Sequence, residues 1–392
     1  MTFWLILAKR SRRRPYDSEV LCEQVFGKQR HGRCLMPLTL KGGQTPARWT
    51  KQQRWQTLEP RDRNCDGGSC IEIALINNMP DTALADTERQ FCELLSTAAG
   101  DIRLRIQLYS LPEICRNAQA QLHMRGRYLD IRDLLNNRFD AVIITGTEPR
   151  QPDLQRETYW QTLVEVLDWA ERNTTSTILS CLAAHASVLH SNGIERHRLD
   201  EKRFGVFDEK QVSQHALTAG VPDVIRIPHS RWNELRENDL VACGYVVLTK
   251  SKEAGVGLFA KQMRRSLFVY VQGHPEYKTQ TLLKEYRRDI KRFLRHERET
   301  YPLLPHGYLN PEATKRMRDF RAQALSNPQG EVLAAFPDSF VSGTLQNGWH
   351  ASGAIIYRNW LRYVASRKTD AAHYSVMTAA SGHDEPRRAA VR

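Results

Sequence analysis

From residue 71 onward, short apolar runs alternate with segments whose apolar residues recur at helical spacing. Alternation of this kind is typical of βα units that build a parallel sheet. The run at 139–145 is almost continuously apolar, as in a strand buried on both faces. We predict strands at 71–76, 102–108, 139–145, 177–180, 223–228, 241–249, 255–260 and 267–272, and helices at 84–96, 157–172, 182–191 and 278–298. The fold class is therefore α/β, with a doubly wound, mostly parallel sheet.

The two ends of the chain differ from this middle part. Residues 311–369 have an apolar stripe at helical spacing, through Trp349, Ile356, Tyr357, Trp360 and Leu361. We therefore expect an α/β domain over 71–300 and a helical C-terminal subdomain over 301–370. Residues 371–392 read as a disordered tail.

The net charge of +13 lies mostly in residues 1–70, which hold fourteen Lys and Arg against six Asp and Glu. A basic segment of this composition indicates a solvated, disordered extension, so we expect no nucleic-acid partner. No apolar run approaches the eighteen or so residues of a membrane span, which predicts a cytoplasmic protein without a membrane partner. The eight cysteines fit a reducing compartment, and those near the N-terminus lack the paired spacing of a zinc site, so we expect no metal.

Candidate chemistry begins with Cys181, which follows an apolar strand pattern and precedes an alanine-rich helical one. A thiol at a helix N-terminus is held as the thiolate by the partial positive charge there, and the free N–H groups, such as that of Leu182, can bind an oxyanion. His274 and Glu276 follow the strand predicted at 267–272. Since ligands bind at the carboxyl edge of such sheets, these residues predict a Cys-His-Glu triad for acyl transfer through a thioester.

Six ordered motifs then carry a resemblance to a known family. They are Asn-Asn-Met-Pro at 77–80, Ile-Ile-Thr-Gly at 143–146, Tyr-Trp at 159–160, Phe-Gly-Val-Phe at 204–207, Pro-His-Ser-Arg at 228–231 and Gly-His-Pro-Glu-Tyr at 273–277. Over about 71–365 the chain resembles the homoserine O-succinyltransferase family, whose fold is like that of class I glutamine amidotransferases. The resemblance implies transfer of a succinyl group from succinyl-CoA to homoserine in methionine biosynthesis. It implies no bound cofactor, only the acyl-CoA as co-substrate, and a homodimer.

The resemblance also assigns the site residues. It implies that Cys181 carries the acyl thioester, that His274 is the base and Glu276 the third triad member, and that Lys202 and Ser230 bind substrate. Arg288 corresponds to the arginine that holds the amino-acid carboxylate, a role that suits a guanidinium fork. The alternative is that Lys202 and Arg288 are ordinary surface charges and Ser230 a loop hydroxyl.

The chain departs from the family pattern at three places. Thr82 stands where the family has an active-site lysine, and Leu-Ala-Ala-His at 182–185 replaces Trp-Gly-Ala-Gln after the cysteine. Arg150 occupies the position at which the family discriminates acyl donors. An arginine there would attract the free carboxylate of a succinyl group, so we predict that Arg150 favours a dicarboxylic acyl donor. It could instead replace the charge of the missing lysine.

Other functions are also compatible with these residues. Acetyl transfer, or serine as the acceptor, would use the same mechanism, because one methylene changes affinity by only about 1–3 kcal/mol. A glutaminase that releases ammonia would share the fold and the triad. A non-catalytic homologue that has lost turnover is the remaining alternative.

Overall fold

A computed structural model describes residues 38–40, 70–327 and 330–381. The larger sheet of this part contains nine strands: β1 (Leu38–Leu40), β2 (Cys70–Ile76), β3 (Arg103–Tyr109), β4 (Tyr128–Leu129), β5 (Ala141–Ile144), β6 (Ser176–Ser180), β9 (Val246–Val247), β12 (Leu258–Gln262) and β13 (Leu267–Val271). Their order across the sheet is β1-β3-β2-β5-β6-β13-β12-β9, with β4 paired to β3.

Most strands of this sheet run parallel. β1, β3, β2, β5, β6 and β13 pair parallel in that order, and only β12 runs antiparallel to its neighbours β13 and β9. The predicted mostly parallel α/β sheet is thus confirmed. Except for β1 and Cys70, the extension predicted over 1–70 lies outside the described residues, as do 328–329 and 382–392.

Helices cover both faces of the sheet. They are α1 (Asp81–Ala99), α2 (Ala118–Met124), α3 (Ile131–Leu135), α4 (Trp160–Asn173), α5 (Leu182–Asn192), α6 (Glu237–Ala242), α7 (Thr281–Leu294), α8 (Pro311–Ser326), α9 (Asp338–Thr344) and α10 (His350–Ser381). On one face, Leu163 and Val166 of α4 and Val188 of α5 join a buried cluster with Ile144 of β5. On the other face, Trp360 of α10 donates a hydrogen bond to Ser176 Oγ in β6 at 2.9 Å. The sheet is therefore buried on both sides, as its continuous apolar runs indicate.

A second sheet of four strands was only partly predicted. It consists of β7 (His197–Gln211), β8 (Val224–Glu234), β10 (Thr249–Ser251) and β11 (Gly255–Val256), in the order β11-β10-β7-β8. The strand predicted at 223–228 is the first half of β8, but β7 was missed because its apolar residues are confined to its centre. The strand predicted at 241–249 is wrong, since this stretch holds the end of α6, β9 and the start of β10. Antiparallel strands with one polar face lack the long apolar runs on which the prediction rested.

The C-terminal helices pack on the α/β part through a second core. This core joins Phe204 of β7, Tyr286 of α7, Met317 of α8 and Trp349, which precedes α10. The helical character predicted for 301–370 is present, and α10 continues to Ser381, beyond the predicted end at 370. Within the described residues, no helix has the length and apolar character to cross a membrane.

Candidate active site

The loops at the carboxyl ends of four parallel strands meet along one edge of the larger sheet. They follow β2, β5, β6 and β13, and each contributes to a cavity of about 630 Å³. Cys181, Leu182, His274, Glu276, Lys202, Ser230 and Arg288 all line this cavity. The structure therefore brings together seven of the eight residues that the sequence singled out.

Cys181 occupies a sharp turn between β6 and α5. Its backbone has φ 51° and ψ −109°, a conformation that costs a non-glycine residue free energy and persists only where the surroundings enforce it. One such restraint is the hydrogen bond from the Cys181 N–H to the Val271 carbonyl of β13, at 2.7 Å. The turn presents the thiol at the cavity wall, at the N-terminus of α5.

Gly146, after β5, keeps the space beside the Leu182 N–H group open. A Cβ atom at this position would lie 3.1 Å from the backbone nitrogen of Leu182, closer than most side chains tolerate. The glycine thus leaves room for a small group beside the Leu182 N–H. An oxyanion formed by attack on a carbonyl carbon would be such a group.

His274 and Glu276 form a buried pair next to the thiol. The distance from His274 Nδ1 to Glu276 Oε1 is 2.8 Å, and the residues are 6% and 7% exposed. Burial alone lowers the pKa of His274, but the Glu276 charge and the contact with Cys181 outweigh it and raise this pKa to about 10. The imidazole therefore carries a proton at neutral pH. We call Gly146, Cys181, Leu182, His274 and Glu276 the cysteine end of the cavity.

Five charged or polar residues form the other part, which we call the ion-pair end: Lys202, Ser230, Glu285, Arg288 and Asp289. Lys202 Nζ lies 3.1 Å from Asp289 Oδ2 and 3.7 Å from Glu285 Oε2. Arg288 Nη2 lies 3.1 Å from Asp289 Oδ1 and 3.8 Å from Glu285 Oε2, and the Ser230 hydroxyl donates to Glu285. Two cations and two carboxylates thus alternate within one network.

Both carboxylates of the ion-pair end are held in the ionised form. Burial raises the pKa of Glu285 and of Asp289, but Lys202 and Arg288 overcome this and lower both values. Tyr277 connects the two ends of the cavity. Its ring stacks on His274 with the centroids 4.2 Å apart, and its hydroxyl donates to Glu285 Oε1 at 2.6 Å. A molecule bound at the ion-pair end therefore lies near the imidazole.

Arg231 is a cavity residue to which sequence reasoning assigned no role, although it belongs to the Pro-His-Ser-Arg motif. It is only 4% exposed. Its Nε donates to His229 Nδ1 at 3.3 Å and its Nη1 to the Asn233 carbonyl at 2.7 Å, while His229 Nε2 lies 2.8 Å from Glu209 Oε1. Burial lowers the pKa of Arg231, and the charge of Cys181 is the largest opposing influence. The motif thus places a fixed cation near the sulfur.

His185 is a second polar residue buried beside the thiol. It is 3% exposed, and its Nε2 lies 3.0 Å from the side-chain oxygen of Gln272. Burial and, to a smaller degree, the charge of Arg231 lower the pKa of His185 to about 3. It is therefore neutral at physiological pH, unlike His274.

Two positions that distinguish the chain from its family lie outside the cavity lining. The Arg150 side chain is exposed, and its backbone N–H donates to Glu157 Oε1 at 2.6 Å. Thr82, at the family's lysine position, is exposed as well. No cluster of His, Cys, Asp and Glu suited to a metal ion occurs within the described ranges.

Comparison with known proteins gives a consistent result. The family model described as homoserine O-succinyltransferase matches residues 45–371. A homoserine O-succinyltransferase of Rhodopseudomonas palustris is 45% identical over 296 residues, which is 76% of this chain and 89% of that protein. One of Methylorubrum extorquens is 38% identical over 337 residues, 86% of this chain and 98% of that protein. A solved glutamine amidotransferase of Thermotoga maritima aligns with 75% of this chain and 98% of its own at 10% identity, with a TM-score of 0.41. The family model and the two curated relatives show that the chain belongs to the homoserine O-succinyltransferase family.

Proposed function

We propose that this protein transfers the succinyl group of succinyl-CoA to the hydroxyl of L-homoserine, through a thioester on Cys181, as a step of methionine biosynthesis. Family membership supports the overall reaction. The observation that carries the mechanism is the strained turn that presents Cys181 beside the buried His274–Glu276 pair. A nucleophile, a base and a carboxylate that orients the base are the parts of a covalent acyl-transfer site.

In the first half of the reaction, the Cys181 thiolate attacks the thioester carbon of succinyl-CoA. The carbonyl oxygen becomes an oxyanion, which the Leu182 N–H stabilises in the space beside Gly146. The bond between the carbon and the CoA sulfur then breaks. The departing CoA thiolate takes the proton from His274, so the products are succinyl-Cys181 and neutral CoA.

In the second half, homoserine attacks succinyl-Cys181. Acylation has removed the negative charge of the sulfur, which had helped to hold the proton on His274. Neutral His274 now takes the proton from the homoserine hydroxyl while the oxygen attacks the acyl carbon. The Cys181 thiolate leaves, and the protonated imidazole restores the starting state. Glu276 holds the ring in place throughout through the bond to Nδ1.

The ion-pair end supplies a complementary site for the acceptor. We propose that Arg288 pairs with the carboxylate of homoserine and that Lys202 and Ser230 help to hold the amino acid. Glu285 and Asp289 offer negative charge for the ammonium group. Tyr277, whose ring stacks on His274 and whose hydroxyl donates to Glu285, sets the distance between the bound amino acid and the base.

Arg150 adds to the preference for a dicarboxylic donor through its charge, two residues after Glu148 and one after Pro149 of the cavity lining. The protein acts as a homodimer and works in the cytoplasm. Light scattering after gel filtration tests the dimer, because a monomer would have half the mass.

The function is tested with purified protein and four substrate pairs. Succinyl-CoA or acetyl-CoA is combined with homoserine or serine, and release of free CoA thiol is followed while the ester product is identified by mass. We expect succinyl-CoA with homoserine to give the highest kcat/KM. A higher value for another pair would replace the donor or acceptor in the proposal. Ammonia release from glutamine alone would indicate a glutaminase and overturn it.

A further inference from the structure

Arg196, Arg198 and Trp232 form a third part of the cavity wall, which we call the arginine rim. Arg198 lies in β7 and Trp232 in the paired strand β8, and the Arg198 guanidinium carbon stacks 4.4 Å from the centre of the indole ring. Arg196 precedes β7. Its Nη2 donates to the carbonyls of Gln151 and Pro152, at 3.3 and 2.7 Å. Both guanidinium groups are thus fixed at the cavity wall.

The arginine rim carries positive charge that forms no ion pair within the described part of the chain. Among the described residues, neither Arg196 nor Arg198 has a carboxylate oxygen within 4.0 Å, whereas Lys202 and Arg288 at the ion-pair end both have one. Arg196 Nη1 is shielded from solvent and has no hydrogen-bond partner in the described part of the chain. A donor in this state costs free energy until a ligand or water pairs with it.

The charges around Arg196 also favour an anion at this part of the wall. Burial lowers its pKa, and the nearby charge of Arg198 adds to this, while Tyr159, Glu157 and Asp153 act in the opposite direction. The two acids already have partners. Glu157 Oε1 accepts from the N–H groups of residues 150 and 151, and Asp153 accepts from that of residue 155. Two like charges therefore face the cavity, and neither makes an ion pair within 4.0 Å among residues 70–327 and 330–381.

We propose that the arginine rim binds the phosphate groups of the CoA arm of the acyl donor. This inference rests on the proposed function, since it assumes an acyl-CoA. The thioester of acyl-CoA lies at the end of a long neutral arm whose other end carries phosphates. When the thioester reaches Cys181 inside the cavity, the phosphates stay nearer to solvent, where the exposed Arg198 lies. Guanidinium groups pair with phosphate oxygens through two parallel hydrogen bonds, and the Trp232 ring and the residue 151–152 carbonyls hold them in that orientation.

The test uses two donors with the same succinyl thioester end. Only one of them carries phosphates, and the truncated donor also lacks the nucleoside and most of the pantetheine arm. Succinyl-CoA and the succinyl thioester of N-acetylcysteamine, which lacks phosphate, are compared on the wild type, Arg196→Gln and Arg198→Gln. We expect kcat/KM for succinyl-CoA to fall by about tenfold to a hundredfold in Arg196→Gln, with a smaller fall in Arg198→Gln, because a charged hydrogen bond to the donor is lost. The rate with the truncated thioester stays within about twofold of wild type.

Arg156→Gln is the matched control. Arg156 lies on the loop next to residues 151–153, is well exposed, pairs with Asp153 at 3.6 Å and does not line the cavity. This variant removes the same charge without removing a rim group, so it measures the general effect of net charge. Calorimetry provides a second measurement, which needs no turnover. It compares the affinity for CoA with the affinity for pantetheine, which lacks the phosphates.

The outcomes separate the two proposals. An equal fall with both thioesters would place Arg196 at the acyl group or in the folding of the site, and would overturn the inference. Unchanged kcat/KM for succinyl-CoA together with unchanged affinity for CoA would overturn it as well. If the wild type acylates Cys181 with neither donor, the proposed function fails, whereas selective loss of CoA affinity in Arg196→Gln would still support the rim as a phosphate site.

Discussion

The cysteine end and the ion-pair end of the cavity are built in different ways. At the cysteine end, main-chain geometry positions the groups: Cys181 lies on a strained turn after β6, and His274 follows the neighbouring strand β13. At the ion-pair end, side chains from β7, β8 and α7 position one another through ion pairs. Chemistry at the first end depends on one buried pair, and binding at the second depends on a network.

Because the two ends are built differently, we expect substitutions at them to change different kinetic constants. Loss of one group at the cysteine end leaves binding intact but removes a group that acts in the transition state, so kcat falls. Loss of one cation at the ion-pair end leaves the thioester chemistry intact and weakens acceptor binding. Single substitutions at each end test whether catalysis and acceptor binding are separated in this way.

The largest effect is expected from Glu276→Gln. The amide cannot stabilise the protonated imidazole and favours the wrong tautomer of His274, so kcat should fall by about a thousandfold to ten-thousandfold. Steady-state kinetics with both substrates measures this, with thermal melting to check the fold. Glu253→Gln, on the surface and outside the cavity lining, serves as the control. A fall of less than tenfold would contradict the triad.

Arg288→Gln tests the ion-pair end. We expect the KM for homoserine to rise about tenfold to a hundredfold, because a charged hydrogen bond to the carboxylate is lost. The rate of Cys181 acylation without acceptor should not change. Arg287→Gln is the matched control, since Arg287 is the neighbouring residue, pairs with Asp338 at 3.0 Å and lies outside the cavity lining. Slower acylation in Arg288→Gln would show that the two ends do not act separately.

His185→Gln tests the electrostatics next to the cysteine end through the free energy of unfolding. The pKa of His185 is about 3 in the folded protein and about 6.5 in an unfolded chain, so between these values the unfolded chain binds one more proton. The contribution of neutral His185 to the free energy of unfolding is therefore complete above pH 6.5 and is lost as the pH falls towards 3. From pH 6.5 to 5 this amounts to about 2 kcal/mol.

Urea unfolding at pH 7 and pH 5 measures this contribution as the difference between wild type and His185→Gln. We expect the variant to lose about 2 kcal/mol less than the wild type over that interval. Equal losses in the two proteins would mean that His185 is not held neutral by burial.

Arg150→Glu should have the smallest effect. The side chain is exposed, so its charge acts through water and is screened by salt. We expect the ratio of kcat/KM for succinyl-CoA over acetyl-CoA to fall by about twofold to fivefold at low salt, and less at high salt. Arg156→Glu, on the same exposed loop, is the control for net charge. A ratio that does not change would remove Arg150 from donor selection.

The location of the cysteine end could be predicted from the sequence because strand order determines it. Apolar runs located β6 and β13, and the carboxyl ends of parallel strands share one edge, so Cys181 and His274 had to lie close together. The strained φ of Cys181 and the close approach of Gly146 to Leu182 were not predictable, since they depend on how loops after β5 and β6 pack against each other.

The ion-pair end was less predictable. Lys202, Ser230 and Arg288 were assigned by resemblance alone, and Glu285, Asp289 and Tyr277 were not assigned at all. Their grouping depends on β7, which was missed because its apolar residues form too short a run, and on which face α7 turns towards the cavity. Arg150 was predicted near the acyl group from its position in the chain, yet its exposure depends on the path of a loop.

The most direct test of the account is the mass of the intact protein after mixing with succinyl-CoA in the absence of an acceptor. We predict one added succinyl group per chain, located on Cys181 by peptide mapping, absent in Cys181→Ser and removed when homoserine is added. Cys243→Ser, which changes a cysteine outside the cavity lining, should acquire the group as the wild type does. Turnover of succinyl-CoA and homoserine without any acyl group on Cys181 would contradict the thioester mechanism.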